Sequence, residues 1–174
     1  MAVAARIKEK HLPSRVAGKR SPSLVGAIEG TIIATAVVVG LDESDSVTPL
    51  RGFWILVATG SFFWIAHVYA DLLADRIKGR HRMGRHAIEA VMAREWPLLQ
   101  SSFVLAIPLA LGAVGALSSQ IAFDLAWLSG IAALVGWGVV FSRKEGHGLV
   151  GVVAAAGLNA AVGLIIVGFK VIVK

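Results

Sequence analysis

Five long apolar runs, set apart by short blocks of charge, constrain this chain more than any other feature. A helix that crosses the hydrocarbon core of a bilayer needs about 20 mostly apolar residues. The runs over 24–41, 52–73, 97–117, 121–141 and 148–173 meet that requirement. Several are rich in Val and Ile, but they are too long and too weakly alternating for the roughly 10-residue strands of a membrane barrel. A helix satisfies its own backbone hydrogen bonds in lipid, whereas an open strand does not. The expected fold is therefore all-α and integral to the membrane, with five transmembrane helices. Composition agrees: 56% of residues are hydrophobic and 16% charged, where soluble domains hold roughly 45–50% and 25%. A soluble fold has no means of covering that much apolar surface.

Lys and Arg set the expected orientation. The tail over 1–22 holds Arg6, Lys8, Lys10, Arg15, Lys19 and Arg20. The connection over 74–96 holds Arg76, Lys78, Arg80, Arg82, Arg85 and Arg94, and the turn before the fifth span holds Arg143 and Lys144. In a five-span chain these segments share one side. The other side has Arg51, Lys170 and Lys174, with an acidic turn at Asp42, Glu43 and Asp45. The bias predicts a cytoplasmic N-terminus and an external C-terminus. The chain then divides into a basic tail, 1–22, and one transmembrane domain, 23–174. Residues 86–96 are expected to form a short interfacial helix. Ala87, Ala90 and Val91 would lie on its apolar face, Arg94 and Glu95 towards solvent, and Trp96 at headgroup level.

The N-terminus does not read as a cleaved signal, because Asp42-Glu43-Ser44-Asp45 follows its apolar run with no small-x-small cleavage site. With no cysteine, thiolate metal sites and cysteine nucleophiles are excluded. The net charge of +6 lies in blocks beside apolar runs rather than in a nucleic-acid-binding pattern. The expected surroundings are a lipid bilayer, that of a bacterial plasma membrane, with anionic lipid at the basic face.

Small residues recur at four-residue spacing. Gly26, Gly30 and Ala34 do so in the first span, and Gly151, Ala155, Asn159 and Gly163 in the fifth. Such stripes let two helices approach closely. They suit a homo-oligomer, a dimer first of all, and equally suit packing within one chain. Pro108 predicts a kink in the third span.

Ionisable groups inside a span cost roughly 2.5–3.5 kcal/mol each on insertion scales and so need a reason. Glu29 lies six residues into the first span, roughly 9 Å at 1.5 Å per residue. His67 and Asp71, four apart on one helical face, fall at a similar depth in the second span, which runs the opposite way. Gln100, Ser101 and Ser102 open the third span at that level, and Asn159 lies nearer the middle of the fifth. Carboxylate and imidazole together suit a divalent transition metal or a proton relay. Each also has a plain structural alternative. Asp71 could end its helix with Asp75 and Arg76, and His67 could simply be hydrogen-bonded, with Glu29 as its partner. Asp124 and Lys170 sit near span ends and snorkel outward. His81 and His86 flank arginines, which disfavours a cation site.

Gly26-Ala27-Ile28-Glu29-Gly30, followed by the apolar run to Leu41, resembles the opening of the first span in the vacuolar iron transporter family. That family has a Gly-x-x-Asp-Gly pattern there, five spans, a cytoplasmic N-terminus and an enlarged connection after the second span. The resemblance implies a dimer that exchanges divalent iron or manganese for protons, with Glu29 at the membrane-embedded carboxylate. The chain departs from the family in three respects: Glu replaces Asp, Ala66-His67-Val68-Tyr69-Ala70-Asp71 replaces the Ser-Met-Gly and Glu-Tyr of the second span, and the connection is basic rather than rich in glutamate.

The functional expectation is a small transporter or channel for a cation, a divalent metal or a proton. Glu29, His67, Asp71 and Asn159 would bind the ion, the first three as metal ligands. The only metal expected is the transported ion, and no cofactor is expected. The alternative is a non-transporting scaffold or regulator acting through the basic face. No enzyme is expected, since His-Glu-x-x-His, Gly-x-Ser-x-Gly and the phosphate-cradling Gly-x-x-x-x-Gly-Lys are all absent.

Overall fold

Each apolar run folds as one helix, because a continuous apolar surface in lipid leaves the backbone no partner but itself. The computed structural model describes residues 22–44, 46–77 and 84–173, the last five of these by backbone alone. The basic tail, Asp45, Lys78, Arg80, His81, Arg82, Lys174 and the side chain of Lys170 lie outside the described residues. The elements are α1 (Pro22–Asp42), α2 (Pro49–Ile77), α3 (Arg85–Ala113), α4 (Ser119–Lys144) and α5 (Leu149–Val173). All five are long and apolar enough to cross a membrane. The chain is a multi-pass integral membrane protein.

Helices α1, α3 and α4 pack on one another at the centre. Helix α2 lies against α3 and α1, and α5 lies chiefly against α4 on the far side. The core draws on four helices: Ala34 and Val38, Leu56, Leu105 with Leu109, and Phe123 with Ala126. Helix α5 is the most peripheral, with Leu158 and Leu164 at least 60% exposed. Apolar exposure on that scale is what hydrocarbon solvent permits.

The small-residue stripes are consumed within the chain. A Cβ on Gly30 would strike the Leu98 carbonyl oxygen and the Ser101 hydroxyl, so α1 sits on α3 backbone to backbone. Gly26 faces Leu98, and Ala34 is 1% exposed in the core. On α5, Ala155 and Asn159 lie against Gly138 of α4. The tight turn after α4 needs the left-handed φ of 73° at Gly146, which glycine adopts without a Cβ penalty.

Two boundaries differ from expectation. Helix α2 runs to Ile77, past the expected end at Leu73, and α3 already opens at Arg85. The expected short helix over 86–96 is not a separate element but the opening turns of the 29-residue α3. Pro97 removes one backbone donor without ending the helix. Val91 and Glu95 before it and Leu98 and Leu99 after it are all buried, so packing holds the helix on both sides of the proline. Helix α3 also continues through Pro108.

Candidate functional site

The end of the bundle that carries the start of α1, the end of α2 and the start of α3 gathers five charged or titratable side chains. Glu29 comes from α1, His67 and Asp71 from α2, and Arg94 and Glu95 from α3. Gly26 and Gly30 bring α1 close to α3 here, and α2 is tied to α3 by tryptophan. Trp64 Nε1 donates to the Met92 carbonyl at 3.4 Å, and its ring meets that of Trp96 edge-on with centroids 5.9 Å apart.

His67 and Glu29 form the first pair. His67 Nδ1 lies 2.9 Å from the Phe63 carbonyl oxygen, and His67 Nε2 lies 3.2 Å from Glu29 Oε1. A carbonyl oxygen only accepts, so a hydrogen bond at this contact needs the ring hydrogen on Nδ1. In a neutral ring, Nε2 is then an acceptor facing a carboxylate oxygen, also an acceptor. The contact is a hydrogen bond only if one further proton lies between them, on the imidazole or on the carboxyl. Both contacts are hydrogen bonds together only in the state with that extra proton; with Nε2 protonated instead, a neutral ring donates to Glu29 alone.

Asp71 belongs to a second group. Its carboxylate pairs with the Arg94 guanidinium, whose Nε donates to Glu95 Oε1 at 3.2 Å. One guanidinium thus serves two carboxylates. The expectation that Glu95 faces solvent is corrected here: Glu95 is only 8% exposed, with Oε2 turned towards Gly26 of α1. Glu95 falls on the buried stripe Val91–Glu95–Leu98–Ser102, whose three- and four-residue spacing places all four on one face. That spacing is visible in the sequence and marks the residue that the amphipathic reading missed.

Glu29 also borders a cavity of about 480 Å³ between α1, α4 and α5. Asn159 lines it from α5, its Nδ2 donating to the Ala155 carbonyl at 2.9 Å. Lys144 and Glu145 line it from the end of α4. A smaller cavity of about 310 Å³, between the end of α2 and the start of α3, is edged by Arg76 and Arg94 with Asp75.

The structure thus joins Glu29 to His67, brings Asn159 to the same cavity as Glu29, and assigns Asp71 to Arg94. Among the described residues no three His, Asp or Glu side chains converge as a metal site. A guanidinium already occupies Asp71, and its charge would repel a divalent ion there. Asp124 is held at the other end of α4 by Gln120 and by Trp127 Nε1, 3.5 and 3.3 Å away. His86 lies beside Glu89 at the exposed start of α3. Comparison with known protein families, curated proteins and solved structures finds no match to this chain.

Proposed function

We propose that the chain is a small cation transporter that exchanges its ion for a proton at the Glu29–His67 pair. One observation carries the reading: an imidazole and a carboxylate, a pair able to share a proton, meet at 3.2 Å between two helices long and apolar enough to span a bilayer. A carboxylate–imidazole pair that holds one proton releases it when a cation neutralises the carboxylate instead. Binding of the proton and binding of the cation then exclude each other, which is the elementary requirement of exchange.

Asp71, Arg94 and Glu95 would tie the end of α2 to the start of α3 beside the pair rather than bind the ion. With two candidate ligands rather than three at Glu29, the site favours proton exchange over a dedicated divalent-metal cage. The proposed orientation places this end in the cytoplasm, on the strength of the Lys and Arg distribution. Arg76 and Arg94 at the smaller cavity would meet anionic lipid headgroups there.

The test is flux. In proteoliposomes with an imposed pH gradient, a panel of K+, Mn2+ and a quaternary ammonium ion should include a species that dissipates the gradient. Glu29→Gln should abolish that flux while eluting and melting like the wild type. Full flux in Glu29→Gln, or none with any cation, would remove the proposal.

A further inference from the structure

Glu29 faces two ways. One carboxylate oxygen meets His67, and the same side chain borders the cavity between α1, α4 and α5. At about 480 Å³ the cavity is an order of magnitude larger than the ~30 Å³ that a water molecule occupies in the liquid. It lies within the ~300–1,000 Å³ range of sites for organic ligands. Its walls are mostly apolar: Leu24, Val25, Ile28 and Ile32 from α1, Phe141 from α4 and Leu158 from α5.

Its charged lining is Glu29, Lys144 and Glu145, which sum to one negative charge once the Glu29–His67 pair has given up its proton. Helix α5 adds Asn159 and no titratable group. Val25 and Leu158, on the walls, are 44% and 68% exposed, so the cavity opens on the apolar flank of the bundle, where hydrocarbon surrounds a membrane helix.

A small inorganic cation fits this lining poorly. It would leave its hydration shell for one carboxylate and one amide, the rest of the cavity being hydrocarbon. A cation whose charge is spread over a large apolar body has little hydration to lose, and it fills the walls as well. We propose that this cavity binds a lipophilic organic monocation, an ammonium or phosphonium ion carrying alkyl or aryl groups, with Glu29 as its counter-ion. The proposal rests on the reading of Glu29 as the exchanging carboxylate and names its cargo. Such a solute partitions into the bilayer and reaches Glu29 from the flank, while the net negative lining turns away an anionic amphiphile of the same shape.

Two probes of matched shape and opposite charge test this: tetraphenylphosphonium and tetraphenylborate. Their binding to the purified full chain in detergent is followed by tryptophan fluorescence and equilibrium dialysis. Tetraphenylphosphonium should bind at least roughly tenfold more tightly than the borate. Glu29→Gln should weaken phosphonium binding by a similar factor and leave the borate little changed. Leu158→Trp, which fills the cavity from α5 without touching a charge, should weaken both.

Equal affinity for the two ions would overturn the proposal and point to a groove for acyl chains. Tighter borate binding would overturn it in favour of an anion held at Lys144. Loss of both signals on dimerisation would overturn it in favour of a second copy on this flank. Glu29-dependent proton flux driven by K+ or Mn2+, without preference for the phosphonium, would overturn the organic cargo while leaving exchange at Glu29 intact.

Discussion

Replacing Arg94 with Met removes the single cation that serves Asp71 and Glu95 and keeps most of the side-chain volume. Breaking a fully buried ion pair by deleting one partner costs roughly 3–5 kcal/mol, whereas an exposed pair is worth about 0–1 kcal/mol. The Asp71 and Arg94 side chains are each more than a third exposed, and the Glu95 side chain only 10%. The network therefore falls between those limits, and about 2 kcal/mol is the expected loss for Arg94→Met. For a chain of this size, each kcal/mol moves Tm by roughly 2–4 °C, so the melt should fall by about 4–8 °C.

Five tryptophans make intrinsic fluorescence a direct readout in detergent, with the scan rate fixed because membrane proteins often melt irreversibly. The double variant Arg94→Met, Glu95→Gln decides the cause. If the loss comes from stranding a buried carboxylate, neutralising Glu95 should restore part of it. A melt unchanged in Arg94→Met, or a double variant less stable than the single one, would refute the reasoning.

Two further outcomes follow from the packing and the charge distribution. Gly30→Ala places a methyl against the Leu98 carbonyl and Ser101 and should cost about 1–3 kcal/mol in the same melt. Gly40→Ala, with nothing within 4 Å of the new methyl, should be neutral or stabilising. Because the chain has no cysteine, single cysteines report topology cleanly. In intact cells Ser46→Cys should react with an impermeant maleimide and Gly84→Cys should not; the reverse pattern would invert the proposed orientation.

The five helices were legible because each is a long apolar run, and no tertiary information is needed to read one. The boundary at Pro97 was not legible. A proline after Arg94-Glu95-Trp96 reads locally as the start of a span, and only the burial of Val91 and Glu95 against neighbouring helices reveals a continuous one. The meeting of Glu29 with His67 followed from equal depth in antiparallel spans. Asp71 shares that helix face, yet its partner is Arg94. Sequence depth places residues in a layer without saying which neighbour each one turns to. Glu95 was missed for the complementary reason: beside Arg94 at the end of a basic segment it reads as a solvent residue, although its spacing from Val91 and Leu98 puts it on the packed face.

The central claim is that Glu29 and His67 hold a proton which a bound cation displaces. The most direct measurement is proton release in lightly buffered detergent solution, following pH as saturating cation is added to the purified chain. The wild type should release about one proton per chain, the one that the pair is proposed to share. Glu29→Gln should release none. Equal release from the two proteins, or no release from the wild type with a cation shown to bind, would contradict the account.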